Sequence, residues 1–337
     1  MDTLNVVIIP NIPEEHLRKI EATDPRLRLK RAGPLFRVAR QVEQEKGKAT
    51  PEQAAVLKEL ENMMREAEVL YALRLPDNLA QRSPRLKWVQ LISAGVESAQ
   101  ESRGLSSNVV LTNATGGNSA PVAEQVFGFM LMFVKQSRRS WNSQVAHKWD
   151  NFISEELYDK TIGIIGLGHV GEDIAKRAHA FQMKLLIYDP YVSAGRLNRL
   201  KAQSADVLSL MKESDFIAVT VPLTPETTKM IGEAQFRAMK KTAFFINTSR
   251  GRVIDQTALI KALKEGWIAG AAIDVTDPEP LPPESELWDT PNLIISPHVA
   301  GNTYGMGVRT VQLFCENIKR YLAGKKLINT VDRTKGY

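Results

Sequence analysis

The sequence predicts an α/β protein built from two doubly wound parallel sheets, and three observations support this prediction. Short apolar segments alternate with helix-forming segments along the chain, which is typical of parallel sheets covered by helices. The chain has 337 residues, enough for two domains of ordinary size. Near the middle of the chain, a glycine-rich turn joins an apolar segment to a helix, which marks the start of a second sheet.

The first segment of the chain predicts a five-stranded sheet. Its predicted strands are Leu4–Ile9, Leu27–Lys30, Val69–Leu73, Leu86–Ile92 and Val109–Thr112, and its predicted helices are Glu14–Ala22 and Glu52–Glu66. Residues 33–50 form an insertion before the second helix. We expect this insertion to be a surface elaboration, such as an extra helix, while a lid or an oligomer contact stays open.

The second segment opens with a long apolar helix over Pro121–Arg139. It continues with the predicted strands Thr161–Ile165, Lys184–Tyr188, Phe216–Val221, Ala243–Asn247, Gly270–Asp274 and Leu293–Ser296, and with a helix over Val170–Phe181. The last helix, about Met306–Leu322, has no strand left to pair with in this segment and is free to pack on the first domain. We therefore predict a discontinuous domain of residues 1–113 plus 305–337, and a second domain of residues 114–304.

Composition excludes several classes of protein. The apolar run Val126–Val134 has nine residues, too few for the roughly 20 that cross a bilayer, and the N-terminus lacks a signal-peptide pattern. The single cysteine, Cys315, rules out an internal disulfide and fits the cytoplasm. Most of the net charge of +6 lies in residues 305–337, which contain the last predicted helix. Cations are favourable near the C-terminus of a helix, so this charge does not require a nucleic-acid or membrane partner, and we expect none. No histidine spacing predicts a metal site.

The glycine-rich turn has the spacing Gly166-x-Gly168-x-x-Gly171. The first glycine permits a tight turn, the second lets the backbone approach a pyrophosphate, and the third lets helix and strand pack closely. Asp189 lies 18 residues after Gly171, at the end of the next predicted strand. Its carboxylate would bind the adenosine ribose hydroxyls and repel a 2′-phosphate, so the pattern predicts NAD(H) rather than NADP(H).

Three later blocks place polar residues directly after predicted strands. They are Asn247-Thr-Ser-Arg-Gly-Arg-Val-Ile-Asp255, Asp274-Val-Thr-Asp-Pro-Glu-Pro280 and Ser296-Pro-His-Val-Ala-Gly301. Ligands bind at this edge of an open parallel sheet, so Arg250, Glu279 and His298 are expected to share one crevice. Hydride reduction of a ketone needs a cation near the developing oxyanion and a proton donor. Arginine, histidine and a carboxylate behind the histidine supply these groups.

With these blocks, the chain resembles the D-isomer-specific 2-hydroxyacid dehydrogenases over nearly its whole length. The resemblance implies a flavodoxin-like substrate domain and a Rossmann NAD-binding domain with an active-site cleft between them. It implies that Arg250 binds and polarises a 2-oxo acid, that His298 is the acid–base residue and that Glu279 is its partner. The other predicted cofactor positions are Gly166, Gly168, His169, Val170, Gly171, Asp189, Val221, Pro222, Thr227, Thr248, Ser249, Asp274 and Gly301. Predicted substrate contacts are Ala94, Gly95 and Arg74, together with Arg250 and His298.

The implied function is NAD-dependent reduction of a small 2-oxo acid to the D-2-hydroxy acid, and the reverse oxidation. An NAD(H)-sensing corepressor or scaffold of the same fold is the alternative, because some such proteins keep the three residues. In the family, the helix that contains Val126–Val134 lies in a dimer interface, so we predict a homodimer. The motifs identify neither the 2-oxo acid nor the physiological direction, and they leave open whether Trp149 or Tyr304 lines the pocket.

Overall fold

A computed structural model describes residues 3–45, 49–96, 99 and 105–333 of the chain. The chain divides into two compact units, residues 1–117 with 304–337, and residues 118–303. The boundaries between the units thus follow Gly117 and Thr303, whereas the predicted boundaries follow residues 113 and 304. Helices and strands are numbered below in chain order within the described residues.

The first unit is a parallel five-stranded sheet. Its elements before the crossover are β1 (Leu4–Ile8), α1 (Glu14–Glu21), β2 (Leu27–Arg31), α2 (Gly33–Glu45), α3 (Pro51–Glu66), β3 (Val69–Ala72), α4 (Leu79–Arg82), β4 (Trp88–Leu91) and β5 (Val110–Thr112). The strand order is β2-β1-β3-β4-β5, which is the flavodoxin-like order. Helix α2 lies in the predicted insertion; residues 46–48 of that insertion are outside the described residues.

Strands β1 and β3 are buried on both faces and are mostly apolar, whereas the edge strand β2 alternates leucine with basic residues and is partly exposed. Val7, Leu70 and Val89 pack on one face, and Tyr71 and Trp88 pack on the other. Helix α3 begins with a capping box, in which the Thr50 hydroxyl accepts a hydrogen bond from Gln53 N, the Gln53 side chain bonds back to the Thr50 backbone, and Pro51 occupies the first helical position.

The second unit is a parallel seven-stranded sheet. Its elements are α5 (Ser119–Val134), α6 (Ser137–Val145), β6 (Thr161–Ile165), α7 (His169–Ala180), β7 (Lys184–Tyr188), α8 (Ala194–Arg199), β8 (Gln203–Ser204), α9 (Val207–Glu213), β9 (Phe216–Val219), α10 (Glu233–Ala238), β10 (Phe244–Asn247), α11 (Gln256–Lys264), β11 (Gly270–Ile273) and β12 (Leu293–Ile295), with short 3-10 turns at Gly251–Val253 and Glu286–Asp289. The strand order is β12-β11-β10-β9-β6-β7-β8. This order reverses between β6 and β9, as in Rossmann folds, so the predicted fold class is confirmed.

The last helix, α12 (Tyr304–Leu322), belongs to the first unit and packs against α1. After it, the chain runs beside the edge strand β5, where Asn113 N donates to Asn329 O (3.1 Å) and Val331 N donates to Leu111 O (2.9 Å). This antiparallel pairing covers the otherwise open edge of the sheet.

The single long helix predicted over Pro121–Arg139 is wrong, because α5 and α6 are separate helices. Gln136 lies between the two helices and has the left-handed backbone conformation (φ 48°). Its side-chain amide donates to Ile153 O at 2.8 Å. Lys135 Nζ donates to Glu155 O at 2.8 Å, so contacts with the returning chain help to fix the break.

Candidate active site

The glycine-rich turn lies at the point where the strand order of the second unit reverses. Gly166 has φ +97°, and a Cβ there would approach Val221 Cγ1 to 2.8 Å. A Cβ on Gly171 would lie 2.2 Å from Gly166 O, so helix α7 can approach the turn only with glycine there. A Cβ on Gly168 would meet no heavy atom of the described residues within 4 Å. The turn is therefore closely packed at Gly166 and Gly171 and open at Gly168.

Asp189 follows strand β7 and bonds directly to this turn. Its Oδ2 accepts a hydrogen bond from Leu167 N at 2.7 Å, and its Oδ1 accepts one from Tyr191 N at 2.8 Å. The carboxylate therefore stabilises the backbone of the glycine-rich turn while it remains half-buried beside it. This is the position from which a strand-end carboxylate reaches the ribose of a dinucleotide bound on the turn.

A charged pair beside the turn escaped the sequence analysis. Glu172, in the first turn of α7, bonds Arg196 of α8, with Arg196 Nη2 2.6 Å from Glu172 Oε2. The same Nη2 lies 3.4 Å from Gly168 O. The guanidinium lowers the pKa of Glu172, so this carboxylate stays ionised near neutral pH. Glu172 and Arg196 lie on different helices, so their spacing along the chain does not predict the contact.

The loop after β10 is organised by the buried side chain of Asn247. Its Oδ1 accepts hydrogen bonds from Ser249 N (3.0 Å) and Ser249 Oγ (2.7 Å), and its Nδ2 donates to Arg250 O at 3.1 Å. These bonds form an Asx-type turn that presents Arg250. Arg250 is half-buried, and its Nη1 donates to Ser249 O at 2.8 Å.

Glycine at position 251 brings the Arg250 loop against the loop that carries Glu279. A Cβ on Gly251 would lie 2.1 Å from the carbonyl carbon and oxygen of Thr276 and 2.7 Å from Asp277 N. The two backbones are therefore in direct contact three residues before Glu279. These two sequence blocks are distant along the chain and meet here because β10 and β11 are neighbouring strands.

Glu279 and His298, two of the predicted catalytic residues, form a hydrogen-bonded pair. His298 Nδ1 lies 2.7 Å from Glu279 Oε2, and their side chains are 50% and 37% exposed. Glu279 Oε1 accepts a hydrogen bond from Thr276 N at 3.0 Å. With Nδ1 facing the carboxylate, Nε2 is the ring nitrogen left to exchange a proton with a ligand.

Asp274 is the buried support of the His298 loop. Its Oδ1 accepts hydrogen bonds from Val299 N (3.0 Å) and from Ser296 Oγ, and its Oδ2 accepts one from Ala300 N at 3.0 Å. The Asp274 carbonyl accepts a hydrogen bond from His298 N at 2.8 Å. The carboxylate fixes a turn in which His298 has φ +54°, an uncommon conformation for a residue with a side chain.

The other predicted cofactor positions surround the same strand ends. Val221 is buried against Gly166, Pro222 and His169 are exposed, and Val170 is half-buried. The Thr227 hydroxyl donates to Pro222 O at 2.7 Å and accepts from Thr224 N at 2.8 Å, so it shapes the loop after β9. A Cβ on Gly301 would lie 3.1 Å from Asn118 Nδ2.

The predicted substrate loop lies in the first unit. Its backbone is held by Asn113 Nδ2, which donates to Ala94 O at 2.8 Å, and by Ser93 Oγ, which donates to Gly95 O at 2.8 Å. Arg74 is exposed in the turn after β3. Of the two open candidates, Trp149 is 97% exposed and Tyr304 bonds Glu15 through its hydroxyl.

Comparisons with known proteins identify the family. A family model described as "D-isomer specific 2-hydroxyacid dehydrogenase, NAD binding domain" matches residues 127–300. A relative from Korarchaeum cryptofilum, named glyoxylate reductase, is 34% identical over 257 residues, which are 74% of this chain and 77% of the relative. The chain belongs to the D-isomer specific 2-hydroxyacid dehydrogenase family.

Solved structures support the same assignment for this dehydrogenase. An NADPH-dependent glyoxylate/hydroxypyruvate reductase from Sinorhizobium meliloti, in complex with NADP and sulfate, has a TM-score of 0.78 and 25% identity and covers 99% of this chain and 100% of its own. A D-lactate dehydrogenase from Aquifex aeolicus, in complex with NAD and lactic acid, has a TM-score of 0.72 and 25% identity, with 95% and 96% coverage. The predicted family, enzyme class and nicotinamide cofactor are confirmed.

The site residues of this dehydrogenase fit a dinucleotide. The hydroxyl oxygen of Thr248 is buried and has no hydrogen-bond partner within the described part of the chain, as expected of a group that awaits a ligand. Helix α7 begins at the open Gly168 without a side-chain cap, so its first N–H groups face the anion-binding position. Within the same described ranges, no group of three or more His, Cys, Asp or Glu side chains suits a metal ion, and no helix has the length and apolarity to span a membrane.

Proposed function

We propose that this dehydrogenase reduces a small 2-oxo acid to the D-2-hydroxy acid with NADH, and catalyses the reverse oxidation. The observation that carries the proposal is the 2.7 Å pair between His298 Nδ1 and Glu279 Oε2, held beside the Arg250 loop. The relative named glyoxylate reductase and the structure with lactic acid support a small 2-oxo or 2-hydroxy acid as the substrate.

Each of the three residues has a distinct proposed role. Arg250 binds the substrate through its planar guanidinium and stabilises the negative charge that develops on the C2 oxygen. His298 donates a proton from Nε2 to that oxygen during reduction and accepts it during oxidation. Glu279 orients the imidazole through Nδ1 and stabilises its protonated form. The nicotinamide, when bound, supplies or accepts the hydride at C2.

Two further assignments support substrate and cofactor binding. We propose that the backbone N–H groups of Ala94 and Gly95 bind the substrate carboxylate, and that Arg74 contributes to the same anionic group. On the cofactor side, Asp189 binds the adenosine ribose and Thr248 supplies a hydroxyl to the dinucleotide, which is supported by the unsatisfied Thr248 oxygen.

Steady-state kinetics with a panel of 2-oxo acids test the proposal, with NADH and NADPH oxidation followed by absorbance. His298→Ala is expected to lower kcat about 10²–10⁴-fold, because the proton donor is lost. Arg250→Ala is expected to lower kcat/KM about 10²–10³-fold, because charge on the oxyanion is no longer stabilised. Glu279→Gln is expected to cost about 10–100-fold, because the pair loses its negative charge.

Arg252→Ala is the matched control, because Arg252 is an exposed arginine in the same loop. It is expected to keep wild-type kinetics. Turnover near the wild-type rate in the Arg250 or His298 variant would refute the assigned roles. Tight NADH binding without turnover of any tested acid would instead favour the NAD(H)-sensing alternative.

We also propose that the enzyme is a homodimer, with the surface formed by residues 132–158 as the contact. Large apolar side chains are exposed there, namely Met132, Trp141, Val145, Trp149, Ile153 and Tyr158. A groove of about 990 Å³ lies beside them, between α5, α6 and the edge strand β12. Most of the Val126–Val134 run is buried inside its own unit, so the segment after it carries most of the exposed apolar surface. Cytoplasmic location remains a prediction from cysteine usage.

A further inference from the structure

Gln256, the first residue of α11, bonds to both backbone groups of Asp277. Its Nε2 donates to Asp277 O at 2.6 Å, and its Oε1 accepts a hydrogen bond from Asp277 N at 3.0 Å. A side-chain amide that satisfies both groups of one residue fixes the position and the orientation of that residue's backbone. Gln256 itself is half-buried at the start of a helix that Asp255 caps through Thr257 N and Ala258 N.

Asp277 lies in the exposed segment that carries Glu279. Thr276 is half-buried, and residues 277–280 are exposed, so little apolar packing holds this segment. Its position depends instead on polar contacts: the Gln256 bonds, the Thr276 N bond to Glu279 Oε1, and the Thr276 Oγ1 bond to Pro278 O at 2.9 Å. Gly251 packs against the same backbone from the Arg250 loop.

We infer that Gln256 is a positioning residue of this active site, which orients Glu279 toward His298 by holding the Asp277 peptide. The inference rests on the proposed function, in which Glu279 and His298 are the acid–base pair. Because Gln256 lies six residues after Arg250, its bonds to Asp277 also connect the chain that follows the substrate-binding arginine to the loop of the carboxylate. Small displacements of such supporting groups have large effects on catalysis.

Loss of the Gln256 bonds has a consequence that a purely structural role would lack. If Glu279 moves away from Nδ1, the protonated imidazole of His298 loses its nearest negative charge and gives up its proton more readily. The alkaline limb of kcat/KM for reduction then moves to lower pH. Glu279 at the ring and Asp274 beneath the backbone are the acidic groups bonded to this loop in the described structure.

Gln256→Met tests the inference, because methionine keeps the length of the side chain and removes both hydrogen bonds. We expect kcat/KM to fall about 10–100-fold, as for other groups that orient a catalytic side chain. The alkaline limb is expected to move to lower pH, while NADH affinity changes less than about twofold. Gln256→Glu keeps an acceptor for Asp277 N but places a second acceptor oxygen against Asp277 O in place of the donor, so kcat/KM is expected to fall in this variant as well.

Gln235→Met is the matched control, because Gln235 Oε1 accepts a helix-capping bond from Gly232 N at 3.0 Å, away from the Glu279 segment. It is expected to change stability alone. The inference is overturned if Gln256→Met lowers only the melting temperature, as Gln235→Met does, with the pH profile unchanged. The same pH profile is recorded for Gln256→Glu, and wild-type kcat/KM with an unchanged profile in this variant would likewise overturn the inference, even if the Gln256→Met protein does not fold.

Ring resonances of His298 in the cofactor-free protein give a second readout, assigned with His298→Ala. The titration midpoint of this ring is expected to fall in Gln256→Met and to stay unchanged in Gln235→Met. This measurement separates two failures. If wild-type protein turns over no 2-oxo acid but the ring midpoint moves, the proposed function fails and the positioning role stands. If turnover depends on His298 but the midpoint does not move, the positioning role fails.

Discussion

At the scale of single residues, the carboxylate of Asp189 has two tasks. It accepts a hydrogen bond from Leu167 N in the glycine-rich turn, and we propose that it also supplies the negative charge at the ribose of the cofactor. The hydrogen bond needs only an acceptor, whereas the effect on the cofactor needs a negative charge. A neutral side chain of the same shape therefore keeps the first role and removes the second.

Asp189→Asn is expected to shift cofactor preference toward NADPH. The asparagine oxygen can still accept the Leu167 bond, but it no longer repels a 2′-phosphate. We expect the ratio of the NADPH and NADH dissociation constants to change at least about tenfold, which is about 1.4 kcal/mol. Fluorescence titration measures both constants. Asp206→Asn, at the cap of α9, is the control, and an unchanged ratio would contradict the assignment of Asp189 as the selector.

At the scale of elements, α12 is joined to the first sheet by a buried polar network. Asn317 is fully buried; its Nδ2 donates to Gln90 Oε1 (3.0 Å) and Ile328 O (3.1 Å), and its Oδ1 accepts from Ile328 N at 2.7 Å. Thr112 donates to the same Gln90 oxygen at 2.8 Å and accepts from Trp88 Nε1 at 2.8 Å. The network ties the helix and the chain after it to strands β4 and β5.

Asn317→Ala is expected to lower the free energy of unfolding by about 2–4 kcal/mol, because it leaves buried partners without hydrogen bonds. Urea denaturation followed by circular dichroism measures the change. Asn198→Ala, at an exposed position in α8, is the control and is expected to change stability by less than about 0.5 kcal/mol. A loss as small as that of the control would mean that the network contributes little to stability.

At the scale of the whole molecule, the exposed apolar surface of residues 132–158 carries the prediction of a homodimer. Trp149 and Ile153 are 97% and 92% exposed, which is unfavourable for side chains of this size in water. Burial against a second copy would remove this cost.

Sedimentation velocity at micromolar concentration is expected to give a dimer for the wild-type protein. The double variant Trp149→Asp, Ile153→Asp is expected to sediment as a monomer, because two charges would be buried in the contact. Leu208→Asp introduces a charge at an exposed leucine of α9 outside this surface and is expected to leave the dimer intact. A wild-type monomer would refute the proposal.

Most strands of both sheets could be predicted closely, since most of these parallel strands are buried and apolar. The prediction failed at Gln136, where the sequence continues with residues that can form a helix. The contacts that help to fix the break there come from the backbone of Ile153 and Glu155, which local propensity does not include. The short edge strand β8 and the tail that pairs with β5 were also missed, because two or three residues carry too little periodicity.

The sequence by itself determined the fold class, the family, the glycine-rich turn and the identity of the candidate catalytic residues. These features depend on residue type and on spacing along one strand, turn or helix, which the sequence contains directly. Only the tertiary structure decided which contacts support them. These are the hydrogen bonds from Leu167 N to Asp189, from Val299 N to Asp274 and from Gln256 to the Asp277 carbonyl, and the backbone contact between Gly251 and Thr276. These contacts join segments that are distant along the chain, and they exist because parallel strands bring their carboxyl ends to the same edge of a sheet.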